Sequence, residues 1–453
     1  MDILQKNTEL IVEISGYNSE GDGVAHIDSR PVFVPRTIMG EVWQVKVLKD
    51  TKKIIYARGE KLIKASPNRL PADCKAFGKC GGCSFLHMSY EQELSLKLQK
   101  VNDALRRIAG VDFNVSEIIP AEKICGYRNK AIYNVAREKG ALTYGFYRKK
   151  SHDIAAQSYC QIQSPESNGL VSEVVSFCRR NNIPAYDERT GKGVLRHVFT
   201  RQGFQTGELQ AVIVAARGFG ALTEGLISHL RESVPGLSSL YLCVKKDSGN
   251  TVLSGDFHRL WGGEFIRERM CGLEFEIAPQ AFFQINPAQA EKLYARAGEY
   301  LSLKGDETVL DLYCGTGTIG LSMAGRAGRI IGIDSVPEAI ENAGKNALAN
   351  GIENAEFICC DAAEARQALF EREIEIDALI IDPPRKGLSE EALKQVDELA
   401  EERIVYISCD VSTLARDIKR LGEKGWRLEK AAAVDMFPRT WHCECVVLMS
   451  KLL

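Results

Sequence analysis

The chain lacks what a membrane-embedded or secreted protein carries. No apolar run reaches the roughly 18 residues a membrane span needs, and the best candidate, residues 212–227, is broken by Arg217 and Glu224. The opening MDILQKNTEL has neither the basic nor the apolar region of a secretory signal. Cysteine is sparse, with 14 in 453 residues spread from Cys74 to Cys445, far below the density of a disulfide-stapled scaffold. These absences predict a cytosolic protein whose thiols are reduced, buried or liganded, with no membrane partner. Surplus charge is missing too: 58 Lys and Arg stand against 60 Asp and Glu, a net charge of −2. With 45% hydrophobic and 26% charged residues, wholesale disorder, collagen-like repeats and coiled coils are excluded. At roughly 100–200 residues per domain, the length predicts two to four domains.

The near-zero charge hides an asymmetry. Residues 42–107 hold 14 Lys or Arg against 6 Asp or Glu, an excess of 8 that leaves the rest of the chain at −10. A basic block on an acidic chain is the footprint of a nucleic-acid partner, although a Lys-rich solvated surface has the same composition. Within the block, residues 8–64 alternate short apolar runs (10–14, 32–34, 41–47, 54–58) with Gly, Pro and Asp turns, the pattern of a small antiparallel barrel. Lys46, Lys49, Lys52, Lys53 and Tyr56 could supply an oligonucleotide-binding face. After a linker at Pro67 and Pro71, Ser89-Tyr90-Glu91-Gln92 caps a helix with Leu94, Leu98, Val101, Leu105 and Ile108 on one stripe. That spacing turns Lys97, Lys100, Arg106 and Arg107 to other faces.

Residues from about 120 to 276 mix strand-like and helical stretches without a diagnostic period and read only as α+β. Beyond them strands alternate with helices. Runs at 308–312, 329–333, 356–358, 378–381, 403–407 and 445–449 predict a doubly wound, Rossmann-like α/β sheet. Ligands on such sheets bind beyond the carboxyl ends of the strands.

The first strand runs into Asp311-Leu312-Tyr313-Cys314-Gly315-Thr316-Gly317-Thr318-Ile319-Gly320, and Asp334 ends the next strand 19 residues after Gly315. Glycines permit close approach to a ligand, and a carboxylate at that distance can hold a ribose, so the loop alone indicates a nucleoside-containing cofactor. Asp311 ahead of the glycines, with Asp382-Pro383-Pro384-Arg385 after the fourth strand, favours S-adenosylmethionine over a nicotinamide dinucleotide. Asp334 then faces the ribose, Asp361 the adenine and Asp382 the reaction centre, although any one of these acids could equally be a helix N-cap.

The next strand ends in Ser408-Cys409-Asp410, and the segment 435–444 ends in Glu444. A thiolate and a carboxylate beside a methyl donor suit methylation of uracil at carbon 5. Thiolate addition at carbon 6 makes carbon 5 nucleophilic, and a base must then remove the carbon 5 proton so that elimination can release the enzyme. Separately, Cys74-x5-Cys80-x2-Cys83 places three thiols in a Gly-rich loop. With Cys160, or less attractively Cys125, as the fourth, they could hold zinc or an iron–sulfur cluster.

Together these motifs resemble the S-adenosylmethionine-dependent RNA 5-methyluridine methyltransferases, essentially from end to end. Gly21-Asp22-Gly23-Val24-Ala25, Phe33-Val34-Pro35 and Gly40-Glu41 are similar to the TRAM domain of the family's 23S ribosomal RNA branch. The resemblance implies Cys74, Cys80, Cys83 and Cys160 as ligands of a [4Fe-4S] cluster, and Gln284, Tyr313, Thr318, Asp334, Asp361 and Asp382 as the S-adenosylmethionine site. It implies Cys409 as nucleophile and Glu444 as base, acting on a flipped-out uridine, and the protein is expected to be a monomer. The domains it implies are a barrel at 1–67, a central α+β domain with the cluster at 68–87 and 119–276, and a methyltransferase domain at 88–118 and 277–453. Val411 stands where the family often has Pro, and Asp334 is one methylene shorter than the more usual Glu. The alternatives are a transfer-RNA uridine methyltransferase, a cytosine-5 methyltransferase, a nicotinamide oxidoreductase, and a non-catalytic iron–sulfur protein that binds RNA or senses redox state. Arg385 in place of a cysteine disfavours the second; Asp311 and the Asp-Pro-Pro loop disfavour the third.

Overall fold

Strands covered on both faces by helices read as unbroken apolar runs, and five of them organise the C-terminal half. The computed structural model describes residues 3–451 other than Lys139, Ser248 and Glu401. Its eight-stranded sheet runs in the order Ala355–Cys359, Arg329–Asp334, Thr308–Leu312, Ala378–Ile381, Arg403–Ser408, Glu444–Lys451, Trp426–Val434 and Ile118–Ile119. The first five are parallel. Glu444–Lys451 is antiparallel to both of its neighbours, and Ile118–Ile119 edges the sheet parallel to Trp426–Val434. From Thr308–Leu312 the chain winds outward first to one side and then, at Ala378–Ile381, to the other, so the switch point where such sheets bind ligands lies between these two strands. Val309, Ile330, Ile380, Val405 and Val446 form the buried layer, closed by Ala290, Leu293 and Ala297 of helix Pro287–Leu301.

The chain divides into two compact units: residues 1–100, 147–153 and 439–441 form one, the remainder the other. The larger unit also holds a seven-stranded sheet ordered Ile154–Ala156, Ala141–Tyr147, Lys130–Glu138, Leu195–Gln202, Leu209–Ala215, Leu237–Val244 and Asp256–Gly262. Leu170 and Val174 of helix Pro165–Arg180 and Leu226 and Leu230 of helix Thr223–Ser233 share its core. This is the α+β region whose period was uninformative: Leu195–Gln202 and Leu209–Ala215 are buried throughout, which suppresses alternation.

The smaller unit contains a six-stranded sheet ordered Glu9–Glu13, Val42–Asp50, Ile55–Lys64, Arg30–Val34, Gly23–Ile27 and Gly16–Tyr17. Alternation puts Val12, Val32, Val34, Val45, Val47, Ile55 and Ala57 inside and leaves Lys49, Lys52, Lys53, Tyr56, Lys61 and Lys64 exposed. The helix begins at Tyr90, with Ser89 Oγ accepting from Gln92 N at 3.3 Å. It departs from the expected faces. Lys97 is fully buried and paired with Glu93 at 2.7 Å, and Lys100 lies 3.9 Å from the Trp441 ring centroid. After Ala104 the helix widens into a π-turn, Leu105–Ala109, that exposes Ile108 and ends at left-handed Gly110. A regular 3.6-residue stripe cannot anticipate either the inserted residue or a buried ion pair.

Candidate active site

The turn after Thr308–Leu312 is shaped by its glycines. Gly320 sits so close that an added Cβ would lie 2.8 Å from Ile330 Cγ2 and 3.1 Å from Asp311 Oδ2, and its amide donates to that carboxylate at 2.8 Å. Burial, then the charge of Asp334, pushes Asp311 up to about 7. Asp334 accepts from Gly315 N at 3.0 Å and from Val336 N at 2.9 Å, bracing the glycine turn against the next strand. Tyr313 is held at φ +69, a left-handed conformation that costs a non-glycine residue about 1 kcal/mol or more, while its amide donates to Ile333 O at 2.9 Å.

Tyr294, on helix Pro287–Leu301, collects two of the expected cofactor residues. Its hydroxyl lies 3.3 Å from Thr318 Oγ1 and hydrogen-bonds the Gln284 side chain, with Asp382 close enough to add to the effect of burial in raising its pKa. On sequence alone Tyr294 reads as an ordinary core aromatic; its offset from Gln284 on a Pro-initiated helix is the one signal available. Asp361 is exposed and caps a short 3₁₀ turn, accepting from Ala363 N at 2.8 Å, and after burial its charge does most to raise the Tyr313 phenol.

The second cluster forms at the neighbouring strand ends. Ser408 pairs with Cys445 across antiparallel strands, so the next residue on one strand, Cys409, and the preceding residue on the other, Glu444, meet at the sheet's active end. Glu444 is buried, and its pKa is raised well above the ordinary carboxylate value by burial, then by Asp382, with Arg385 opposing. Cys409 is pushed up to about 11 by burial, then by Glu444 and Asp382, again with Arg385 opposing. Asp382 is itself raised to about 7 by burial and Asp311. Two carboxylates, one thiol and one guanidinium thus share a site at the end of three adjacent strands. In the sequence Arg385 stands out only as the residue in place of a cysteine; its charge bears on Cys409 and Glu444 once the strands are paired.

A buried carboxylate fastens the loop that carries Asp382 and Arg385. Asp417, on helix Val411–Gly422, is fully buried and accepts from Leu388 N at 2.9 Å and Tyr406 Oη at 2.8 Å. Arg416 donates to Asp417 at 2.9 Å and to Lys386 O at 2.9 Å. Gly387, at φ +71, leaves room for this, since an added Cβ would lie 2.4 Å from Asp417 Oδ2. Asp417 was missed because nothing in a helical i, i+3 pattern marks a buried acid.

The remaining expected ligands are cysteines. Cys74, Cys80 and Cys83 are half-buried in one loop, and Gly82 N donates to Cys80 Sγ at 3.3 Å. Burial, with Cys74 also contributing, raises Cys80. Cys160 is buried, its backbone tied to the Asn168 amide at 2.8 and 3.1 Å. Among the described residues no three His, Cys, Asp or Glu side chains gather as a metal site.

The family model for tRNA (uracil-5-)-methyltransferase matches residues 266–452, the part of the chain that holds both clusters, and the TRAM domain model matches residues 4–62. An RNA methyltransferase of Clostridium tetani is 38% identical over 99% of this chain and 97% of its own. The chain belongs to the RNA uracil-5 methyltransferase family. A Bacillus cereus RNA methyltransferase is 37% identical over 99% of the enzyme's chain and 98% of its own. The enzyme is also similar to the solved tRNA (uracil-54, C5)-methyltransferase of Pyrococcus abyssi in complex with S-adenosyl-L-homocysteine, with TM-score 0.79 and 30% identity, covering 97% of this chain and 99% of that one.

Proposed function

We propose that the enzyme transfers a methyl group from S-adenosylmethionine to carbon 5 of a uridine in 23S ribosomal RNA, with Cys409 as nucleophile and Glu444 as base. The observation that carries this reading is the strand register that brings Cys409 and Glu444 to facing strand ends, where the charges of Glu444 and Asp382 both bear on the Cys409 thiol. The Cys409 thiol gives up its proton to solvent and adds as thiolate to carbon 6 of the flipped base, and the ring electrons move to the carbon 4 oxygen. The two carboxylates disfavour a free thiolate, which raises its nucleophilicity, but they do not disfavour the neutral thioether of the adduct. Arg385 offsets part of the charge in between. Carbon 5 takes the sulfonium methyl, and S-adenosylhomocysteine leaves with the sulfur's electron pair. Glu444 then removes the carbon 5 proton; the ring electrons return and expel Cys409. A carboxylate whose pKa is raised by burial is a stronger base for that step.

Tyr313, Gln284, Thr318 and Asp382 are the S-adenosylmethionine contacts in this reading, with Asp334 at the ribose and Asp361 at the adenine rim. The cluster reading is retained as part of the proposal: Cys74, Cys80, Cys83 and Cys160 supply thiolates to [4Fe-4S], supported by the Gly-rich loop and the amide donated to Cys80. Since methyl transfer is redox-neutral, the cluster would serve as a structural tie. The reading also takes the enzyme as a cytoplasmic monomer; among the described residues no helix is long and apolar enough to cross a membrane.

Labelled S-adenosylmethionine with unmodified 23S transcript tests the reading. Wild type should label uridine carbon 5, Cys409→Ala should not turn over, and Glu444→Gln should trap a covalent RNA adduct. Full activity of Cys409→Ala would refute the mechanism. A second reading, transfer RNA as substrate, is favoured by the named substrate of the Pyrococcus relative, whose likeness extends over the barrel region as well. Competition between the two transcripts decides which RNA is used. Visible absorbance and bound iron in anaerobically prepared protein, lost in Cys80→Ser, test the cluster.

A further inference from the structure

The segment carrying Gln284 is held by Arg201 and Asn129, and two further cations with no role so far, Arg128 and Lys130, flank Asn129. Lys130 opens a strand of the seven-stranded sheet and lies directly opposite Arg201. Arg201 is fully buried and donates to Ala278 O at 2.8 Å and Ala281 O at 2.7 Å. Asn129 fastens the same segment, its side chain donating to Gln284 O at 2.9 Å and its amide to Ile285 O at 2.9 Å. Arg128 completes the cluster. Its Nε is buried with no acceptor among the described residues.

The charged groups that bear on Lys130 are both cations: burial, then Arg201 and Arg128, push its amine down to about 8. Gathering like charges in a half-buried place costs folding energy, and a bound anion removes that cost. Two anions are chemically available at an enzyme of this family, an RNA phosphodiester and the carboxylate of the methyl donor. The carboxylate arrives with its own ammonium on the same carbon, which this cluster repels. A phosphodiester carries no cation of its own.

We infer that Arg128 and Lys130 form a phosphodiester subsite that grips the RNA backbone beside the Gln284 segment, so that the adjoining base is presented to the active site. The inference rests on RNA as substrate, and it places a contact outside the basic block of residues 42–107. Phosphate contacts fix register without reading sequence, which suits a site beside the chemistry.

The test measures RNA affinity across a salt series, and S-adenosylmethionine affinity by calorimetry, for wild type, Lys130→Ala, Lys130→Arg and Arg128→Gln. Lys130→Ala should weaken RNA binding by roughly threefold to tenfold and lower the log–log salt slope by about one. Lys130→Arg should restore both, and S-adenosylmethionine affinity should stay at the wild-type value. Thermal melts check folding; Lys130→Ala relieves repulsion and should melt no lower than wild type. An unchanged affinity and slope in a wild-type-like fold would overturn the subsite, as would a loss confined to S-adenosylmethionine. If wild type itself neither binds nor methylates RNA, the functional reading fails first and the subsite with it; if wild type does both, the variants judge the subsite alone.

Discussion

Removing the Asp417 carboxylate should unfasten the active-site loop. Four donors converge on this buried side chain: Leu388 N at 2.9 Å, Tyr406 Oη at 2.8 Å, Arg416 Nε at 2.9 Å and Arg420 Nη1 at 3.3 Å. In Asp417→Ala the Tyr406 hydroxyl and the Leu388 amide lose a buried acceptor, at about 1–3 kcal/mol each. The arginines contribute less, because Arg416 is 43% exposed and can turn to water. The sum is about 3–5 kcal/mol, the usual range when one side of a buried charge network is deleted. Tyr406→Phe removes a single hydrogen bond and should cost about 1 kcal/mol. Urea unfolding of both variants measures these values. Catalysis adds a readout that simple destabilisation does not move at low temperature. Freed at residues 386–388, the loop lets Asp382 and Arg385 drift, and kcat should fall by about 10- to 100-fold, while RNA affinity set elsewhere holds. If Asp417→Ala unfolds at the wild-type urea concentration and keeps its kcat, the carboxylate does not hold the loop and the reasoning is wrong.

Other outcomes follow from the same geometry. Arg385→Gln removes the cation that opposes Glu444 and Asp382 at Cys409, whose pKa is already about 11; the rising limb of the pH–rate profile should move to higher pH and Arg385→Lys should largely restore it. An unmoved limb would show that Arg385 does not act on the thiol. Asp311 is raised from 3.8 to about 7 in the folded protein, so its native state favours the protonated form and its stabilising contribution is lost as pH rises through that window. Asp311→Asn should therefore gain thermal stability relative to wild type as pH climbs from 3.8 to about 7 and hold that advantage unchanged above it, and a pH-independent difference across that window would contradict the assignment. Gly320→Ala forces a methyl against Ile330 Cγ2 and Asp311 and should cost about 1–3 kcal/mol, read by thermal melting together with weakened S-adenosylmethionine binding.

Much of the sheet was legible because parallel strands buried on both faces leave continuous apolar runs. Two strands escaped. Trp426–Val434 is half-exposed along its first residues, with Arg427, Glu429 and Lys430 breaking the run, and Ile118–Ile119 is only two residues long. The charge block was legible as composition but not as a surface: Lys97 is buried against Glu93, and Arg69 pairs with Glu41. Side-chain direction depends on partners that lie far away in sequence, and a local count cannot see them. Asp361 shows another limit: an acid after a strand can serve as a cap, and here it caps a 3₁₀ turn while its charge also reaches Tyr313, a proximity that sequence spacing does not give.

The residue types that the proposed chemistry needs stand in the sequence: a thiol after one strand, a carboxylate before another, and an ordered series of acids at strand ends. Only the tertiary structure decides that Cys409 and Glu444 meet, because Glu444–Lys451 enters antiparallel beside Arg403–Ser408 and so brings its first residue, rather than its last, to the active end. The same packing sets the electrostatics. Burial beside Asp382 and Arg385 shifts the acid and the thiol, and burial is a property of the fold that no run of neighbouring residues encodes.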